Sequence, residues 1–126
     1  MQLYVNPSDE LPIYRQIVRQ ITDAIAGGLV QGGTKLPSHR ELATQLVIAP
    51  LTVKKAYEEL ERNGLILTRR GRGTFVTDEL PLRDSAESRE RLRDAAQRLL
   101  SQAALSGVPY GDVLALLEEL RNGMKS

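Results

Sequence analysis

The stretch LPSHRELATQLVIAPLTVKKAYEELERNG, Leu36–Gly64, contains two helical patterns separated by a short break. In the first pattern, Ser38 and Glu41 have the spacing of a capping box, in which the serine hydroxyl and the glutamate carboxylate each satisfy an unpaired amide of the first turn. The apolar face behind this cap consists of Leu42, Ala43 and Leu46. Together the cap and the face predict a short helix over residues 39–46.

The second pattern predicts a longer helix that begins near Pro50 and ends at Asn63-Gly64. Proline fits the first turn of a helix, and glycine adopts the left-handed conformation after the last turn without strain. Residues at positions i, i+3, i+4 and i+7 predict the buried stripe: Val53, Ala56, Tyr57 and Leu60. The side chains left facing outward are Leu51, Lys54, Lys55 and Glu58. A short helix, a tight turn and a longer helix with outward lysines predict a helix-turn-helix.

The segment upstream of this unit carries a helical pattern of its own. Its apolar residues recur at helical spacing and are Leu11, Tyr14, Ile17, Val18, Ile21 and Ile25. Pro12 suits the first turn, and Gly27-Gly28 ends the pattern. A helix over residues 12–27 is therefore predicted.

Two β-prone runs follow the helix-turn-helix, LILTR at 65–69 and TFVTD at 74–78. The residues between them, RGRG at 70–73, predict the turn of a β-hairpin. Glycines at such a turn let the backbone approach a sugar-phosphate wall, where arginines gain charge-assisted contacts and release counterions. The fold predicted for residues 1–78 is thus mainly α with a small β-hairpin, a winged helix-turn-helix domain for binding DNA.

The character of the chain changes after this domain. The charged stretch DELPLRDSAESRE, residues 78–90, predicts a hinge into a helix that Asp84, with Glu87, would cap. The break SGVPYGD at 106–112 separates this helix from a last one. Narrow apolar stripes follow, and they consist of Leu92, Ala95, Ala96, Leu99, Leu100 and Ala103 in the first helix and Val113, Leu116, Leu117 and Leu120 in the second.

Two helices of this size cannot bury both stripes by themselves. We therefore expect residues 79–126 to form a C-terminal two-helix dimerisation domain that packs against the same segment of a second copy. Ordinary packing within one chain is the alternative for the same side chains. The candidate interface residues are Leu92, Ala96, Leu99, Leu100, Ala103, Val113, Leu116, Leu117 and Leu120.

The composition is that of a globular domain with one basic surface. The chain has 126 residues, of which 41% are hydrophobic and 26% are charged. Its net charge is only +1, but residues 35–76 hold eight Lys and Arg against four Asp and Glu, a local net charge of +4. A local basic excess favours a polyanionic partner, although solvated charged surfaces are common.

Several classes of function are disfavoured by what the sequence lacks. It has no cysteine, which excludes disulfides and thiolate metal sites. His39 is the sole histidine and has no ligand cluster around it, so we expect no metal, no cofactor and no enzymatic activity. No apolar run reaches about 18 residues, which predicts no membrane span. The N-terminal ten residues lack an export-signal pattern, and the absence of cysteine suits a reducing cytoplasm.

Three motifs taken together resemble a known family. LPSHRELATQL, TVKKAYEELERNGLI and RRGRGTFV resemble the DNA-binding domain of the GntR family of bacterial transcription regulators. The P-x-TVKKAYEELE form and the two-helix tail resemble its YtrA-type subfamily. The resemblance implies a cytoplasmic regulator, most often a repressor, that binds a pseudo-palindromic operator in double-stranded DNA as a homodimer. Residues 79–126 are too few to enclose a small-molecule effector in one subunit, so an unknown effector would have to bind between subunits.

The resemblance implies DNA contacts at three places. The arginine of the LPSxRE motif is Arg40, expected at a phosphate or a guanine edge, with Ser38 and His39 beside it at the helix start. The recognition-helix candidates are Leu51, Thr52, Lys54 and Lys55. The wing candidates are Arg70, Gly71, Arg72, Gly73 and Thr74.

Each candidate also has a structural interpretation. Arg40 could pair with a carboxylate, and Thr52 could cap its own helix. Lys54 and Lys55 diverge by about 100° on a helix, so both are not expected to read bases. The wing glycines could serve turn geometry alone. The competing function is a winged helix that binds proteins without sequence-specific DNA binding.

The motifs also depart from the common family pattern at three positions. Val47 stands where a glycine is frequent, and Ala49 is a poor helix cap, a defect worth on the order of 1 kcal/mol. Leu51 stands where a small polar residue is common. Hydrogen-bond readout is not expected from leucine, but its side chain could meet a thymine methyl group.

Overall fold

The chain forms two compact units, Met1–Pro81 and Leu82–Ser126, in a computed structural model that describes residues 1–124. The division falls inside the DELPLRDSAESRE stretch. The assignment of DNA binding to residues 1–78 and of dimerisation to residues 79–126 stays a prediction.

The first unit combines three helices with a three-stranded antiparallel sheet, as expected for a winged helix. In chain order its elements are α1 (Ile13–Ala26), β1 (Lys35–Leu36), α2 (His39–Leu46), α3 (Pro50–Arg62), β2 (Ile66–Arg69) and β3 (Gly73–Val76). The predicted bounds of α2 are confirmed, because the capping box that defines its start is present in full. α1 begins one residue later than predicted, since Pro12 takes an extended conformation and acts as the N-cap.

The sheet contains a strand that the sequence did not predict. Its strand order is β1-β3-β2, so the predicted hairpin of β2 and β3 is extended by β1 on the other side of β3. β1 is only two residues long and lies between glycines and a proline, so it has no alternating pattern to detect. Pairing with β3 creates this strand, with Lys35 opposite Phe75 and Leu36 opposite Thr74.

The core of the first unit lies where α1 and α3 pack together and the sheet closes over them. Its largest fully buried side chains are Ile17, Ile21, Val53, Leu60, Ile66 and Val76. The predicted stripe of α3 is confirmed, because Val53, Ala56, Tyr57 and Leu60 are buried while Leu51, Lys54, Lys55 and Glu58 are exposed.

Tyr57 is a core residue whose hydroxyl makes a hydrogen bond to the start of α2. Its hydroxyl donates a 2.7 Å hydrogen bond to the carbonyl oxygen of Pro37, the residue before the capping serine of α2. Burial raises the pKa of the Tyr57 hydroxyl, which keeps it protonated as the donor. The bond therefore joins the middle of α3 to the start of α2.

The N-terminal residues also belong to the first unit, which the sequence pattern did not indicate. Leu3 joins the core, and the buried side chain of Gln16 holds the N-terminal residues against α1. Gln16 Oε1 accepts from the amide of Asn6 at 2.8 Å, and Gln16 Nε2 donates to the carbonyl oxygens of Leu11 at 2.8 Å and Asn6 at 2.9 Å. A buried glutamine with these partners satisfies backbone groups that would otherwise lack a hydrogen-bond partner.

The turn between α2 and α3 is strained at Val47. This residue ends α2 with φ +57° and ψ +52°, the left-handed conformation that a β-branched side chain rarely adopts. Its side chain is 87% exposed, so packing does not offset the strain. The predicted weak cap of α3 is also observed, because Ala49 is its N-cap and no side chain caps the helix.

The second unit consists of two helices, α4 (Ala86–Ser106) and α5 (Tyr110–Met124). The prediction that Asp84 caps α4 is wrong. Ser85 is the N-cap, and its hydroxyl accepts from the amide of Ser88 at 3.1 Å. Asp84 instead forms a two-bond pair with Arg89, at 2.7 and 2.8 Å, and this pair lowers the pKa of the Asp84 carboxyl. Serine caps as well as aspartate, and the arginine gives the aspartate a stronger partner.

The two helices of this unit cover only part of their apolar stripes. Leu99 and Ala103 of α4 line one crevice with Val113 of α5, and Val113 is only 3% exposed. Val113 therefore packs within its own chain, which was the alternative to a place in the dimer interface. Most of the other candidate interface residues are exposed, namely Leu92, Ala96, Leu100, Leu116, Leu117 and Leu120.

Relief of the strain at Val47 should stabilise the protein. We expect Val47→Gly to raise the free energy of unfolding by about 1 kcal/mol, because glycine adopts positive φ without a steric penalty. For a domain of this size the melting temperature should rise by roughly 4–8 °C. Thermal and urea unfolding followed by circular dichroism measure both quantities.

Val47→Ala is the matched control, since it also removes the exposed apolar branches but retains Cβ. Its free energy of unfolding should rise by less than half of the increase expected for Val47→Gly. Equal stabilities of the two variants, or a loss of stability in Val47→Gly, would show that the left-handed turn stores no strain.

Candidate nucleic-acid interface

The first turns of α2 and α3 meet at an open depression of about 330 Å³. Its lining residues are His39, Arg40, Thr44, Pro50, Leu51 and Lys54. The side chains of Arg40, Leu51 and Lys54 are exposed, and His39 is half-buried. The structure thus brings together candidate residues from the LPSxRE motif and from the recognition helix.

Among the described residues, the Arg40 guanidinium has no structural partner that would explain its charge. In residues 1–124, no carboxylate lies within salt-bridge distance of its guanidinium. Its backbone carbonyl oxygen accepts from the hydroxyl of Thr44 at 3.0 Å, an interaction within the helix that leaves the side chain uninvolved. The alternative that Arg40 pairs with a carboxylate therefore finds no support in the described part of the chain.

The two adjacent lysines of α3 point to different surroundings. Lys54 lines the depression together with Arg40 and Leu51. Lys55 is instead turned towards α1, where its Nζ lies 4.0 Å from the centroid of the Tyr14 ring in a cation–π contact. The divergence predicted from helical geometry is therefore observed. A DNA contact by Lys55 stays a prediction that would require it to leave Tyr14 or to reach DNA along that side.

Ser38 and Glu41 organise the start of α2 and with it the position of Arg40. The Ser38 hydroxyl accepts from the Glu41 amide at 3.0 Å, and Glu41 Oε1 accepts from the Ser38 amide at 3.2 Å. The hydrogen bonds from the Ser38 amide and hydroxyl lower the pKa of the Glu41 carboxyl, which keeps the capping carboxylate ionised. The Ser38 hydroxyl is engaged in this cap, and its contact with DNA stays a prediction.

Thr52 is half-buried in the first turn of α3. Its amide donates to the carbonyl oxygen of Ala49 at 3.1 Å, and its hydroxyl does not cap the helix. The alternative of side-chain capping by Thr52 is therefore not observed, and its proposed contact with DNA stays a prediction.

The tip of the wing is a tight turn from Arg69 to Arg72, closed by a 2.9 Å hydrogen bond from the Arg72 amide to the Arg69 carbonyl oxygen. Gly71 is the third residue of the turn with φ +78°, as a type II turn requires. A Cβ at Gly71 would meet no atom within 4 Å, so the glycine serves backbone conformation and leaves the tip open. The side chains of Arg70 and Arg72 are both exposed at this tip.

The base of the wing is braced from both sides. The hydroxyls of Thr68 and Thr74 lie 3.4 Å apart across the hairpin, so Thr74 contributes to strand pairing. The Thr68 amide donates to Glu61 Oε1 of α3 at 3.1 Å, which ties the edge strand β2 to the helix.

Lys35 is a further candidate that the sequence motifs did not indicate. Gly73 has φ +123°, and a Cβ there would lie only 2.8 Å from Lys35 Cε. The aliphatic stem of Lys35 therefore lies against the base of the wing and adds a positive charge to it. The basic excess over residues 35–76 included this lysine, but only the unpredicted strand β1 places it beside Gly73.

The comparison with known proteins gives the family. The sequence profile described as bacterial regulatory proteins, gntR family, matches residues 13–76. The matched interval begins with the first residue of α1 and ends with the last residue of β3. The chain belongs to the GntR family.

Individual GntR relatives match more of the chain than the shared domain. The HTH-type transcriptional repressor YtrA of Bacillus subtilis (strain 168) is 34% identical over 123 residues, which are 98% of this chain and 95% of that protein. The predicted YtrA-type membership is thereby confirmed. A crystal structure described as a transcriptional antiterminator from Listeria monocytogenes EGD-e has a TM-score of 0.71 and 31% identity, and the match covers 100% of this chain and 94% of that one.

The similar structures include complexes with an operator. The crystal structure of AraR(DBD) in complex with operator ORX1 has a TM-score of 0.52 and 34% identity, over 60% of this chain and 93% of that chain. The winged helix-turn-helix fold predicted for the first part of the chain is thereby confirmed.

Neither a metal site nor a membrane span is found among the described residues. In the part of the chain that the structure describes, no group of three or more His, Cys, Asp or Glu side chains is placed to hold a metal ion. None of the helices within residues 1–124 is long and apolar enough to cross a membrane.

Proposed function

We propose that this GntR protein is a sequence-specific DNA-binding transcriptional regulator, of the repressor kind, that binds a pseudo-palindromic operator as a homodimer. One observation carries the proposal: exposed Arg40, Leu51 and Lys54 line a single depression at the first turns of α2 and α3. Arg40 has no carboxylate partner in residues 1–124, and the depression opens on a surface with a net charge of +4 over residues 35–76.

The arrangement suits the major groove of double-stranded DNA. The groove admits one α-helix, and residues near the N-terminal end of that helix reach the base edges. Leu51 and Lys54 occupy this end of α3, while Arg40 comes from the helix that would cross the backbone. The arginines at the wing tip would contact phosphates or the adjacent minor groove and release counterions.

A winged helix that binds proteins without selecting DNA is the second candidate function. It would require no excess of positive charge on the helix-turn-helix and the wing. The basic surface over residues 35–76 favours DNA, and the operator-bound structure of AraR(DBD) supports the same choice by similarity.

The homodimer is proposed from the second unit. Many of its apolar side chains are exposed, including Leu92 at 70%, Leu100 at 49%, Leu117 at 45% and Leu120 at 56%. Large exposed apolar surfaces mark interaction sites in proteins that remain in solution. A two-fold symmetric partner would cover the same stripe on both copies and present two DNA-binding units to the two halves of one operator.

The remaining parts of the proposal follow from this role. A regulator of this kind binds chromosomal DNA, so we propose that it acts in the bacterial cytoplasm and works by binding alone, without catalysis or a cofactor. Repression is proposed because the YtrA relative carries the name of a repressor. A small-molecule effector, if the protein has one, would bind between two subunits.

Removal of wing and helix charges should weaken operator binding. We expect Arg40→Ala and Arg72→Ala each to reduce affinity for a duplex selected from a random pool, by about 1–3 kcal/mol at Arg40 if it contacts a guanine. For each phosphate that a variant no longer neutralises, the slope of log K against log salt should become shallower by about one unit. Fluorescence anisotropy over a series of salt concentrations measures both effects.

Arg19→Ala is the control, because Arg19 is an exposed arginine on α1 that lies outside the candidate interface. Its affinity and salt slope should match those of the unmodified protein. Unchanged binding in both Arg40→Ala and Arg72→Ala would count decisively against the proposed DNA surface.

Charge placed on the apolar stripe should separate the dimer. We expect Leu100→Asp and Leu117→Asp to convert a particle of twice the 14.0 kDa chain mass into one of the chain mass in sedimentation, with a parallel decrease in operator affinity. Both side chains are about half exposed in one chain, so the effect would come from the interface with the partner.

Leu105→Asp supplies the matched control on the same helix. Leu105 is 86% exposed and lies on the face of α4 opposite the stripe, so this variant should remain dimeric. A monomer that binds the operator with full affinity at micromolar concentration would refute the homodimer.

A further inference from the structure

Leu51 belongs to the candidate interface, but attraction between opposite charges gives no role to its apolar side chain. It is 75% exposed at the second position of α3, although burial of a leucine side chain stabilises a protein by roughly 1.5–3 kcal/mol. The helix could not bury it by rotation, because Val53, Ala56 and Leu60 already occupy the core face. A single exposed leucine is common on protein surfaces. The residues that surround Leu51, however, make its exposure unusual.

The depression around Leu51 is lined by both apolar and cationic residues. Pro50 and Leu51 supply apolar surface, Arg40 and Lys54 supply positive charge, and His39 and Thr44 complete the lining. A ligand that fits this arrangement carries negative charges around a small apolar group. Leucine offers no donor or acceptor, so a polar base edge pressed against it would lose its water without compensation.

The major-groove edge of DNA has one group of this kind. Each base pair presents hydrogen-bonding atoms there, and the pairs that contain thymine add a C5-methyl group. Phosphates flank the groove on both sides and would attract Arg40 and Lys54. A depression that combines an exposed leucine with an arginine and a lysine is therefore complementary to a thymine methyl group in a groove flanked by phosphates.

We propose that Leu51 determines part of the operator specificity by packing against the C5-methyl group of a thymine in each half-site. The inference rests on the proposed DNA-binding function and deepens it, because it names the base that this position selects. Arg40 and Lys54 hold the helix in the groove, and Leu51 discriminates by apolar contact.

The test replaces single thymines with deoxyuridine, which forms the same base pair but lacks the C5-methyl group. The operator is first selected from a random pool with the full-length protein, and each thymine is then replaced in turn, symmetrically in both half-sites. The affinity of the unmodified protein should fall by about fourfold per half-site at one thymine position, the factor expected for one methyl-sized group. Anisotropy titrations measure this decrease.

The Leu51→Ala variant connects that decrease to the leucine. Leu51→Ala should bind the thymine operator more weakly than the unmodified protein does. Replacement of the sensitive thymine with deoxyuridine should not weaken the binding of this variant further. Leu51→Met retains a side chain of similar volume and should retain most of the discrimination. Val47→Ala, which shortens an exposed apolar residue outside the depression, should discriminate as fully as the unmodified protein.

The outcomes separate this inference from the function on which it rests. Selective duplex binding with no methyl-sensitive thymine, or with equal sensitivity in Leu51→Ala, would overturn the role of Leu51 alone. Failure to bind any duplex selectively would overturn both. A 5-methylcytosine in place of cytosine at the same position, if it strengthened binding by a similar factor, would show that the methyl group itself is what Leu51 recognises.

Discussion

Burial of one face of α3 determines what its other face presents. Val53, Ala56 and Leu60 are completely shielded from solvent, so the helix cannot turn about its axis without opening the core. The same 3.6-residue period that buries these residues leaves Leu51 and Lys54 outside on the first turns. A hydrogen bond from Tyr57 to the carbonyl oxygen of Pro37 then ties α3 to the start of α2, where Arg40 lies. The core thereby sets the relative positions of an arginine, a leucine and a lysine from two helices.

The wing depends on a different constraint, the conformation of its glycines. Gly71 and Gly73 both have positive φ, and the first of them closes the turn that carries Arg70 and Arg72. The charges stand on a rigid base, since β1 lies alongside β3 and Glu61 accepts from the amide of Thr68 in β2. Because the turn is braced, its backbone loses little freedom when the arginines bind.

The features that could be predicted from sequence are those that local chemistry decides. The capping box indicated the start of α2, and the spacing of four apolar residues indicated the buried face of α3, because both signals act within a few residues. β1 and the proximity of Lys35 to Gly73 could not be predicted, since they arise from pairing with a strand some 40 residues away in the chain. Likewise, which of Lys54 and Lys55 faces the depression could not be predicted, because the contact of Lys55 with Tyr14 of α1 joins residues distant in the chain. The Asp84 prediction failed for a local reason: the neighbouring Ser85 can also cap a helix, and Arg89 pairs with the aspartate.

The start of α2, the start of α3 and the wing should engage one duplex at the same time. Nitrogen-15 chemical-shift mapping during titration with the selected operator follows all three segments in one experiment. We expect the amides of residues 39–40, 51–54 and 70–73 to shift together and to saturate at one duplex per two chains. Shifts confined to other surfaces, or saturation of these three segments at different duplex concentrations, would be incompatible with a single DNA-binding surface.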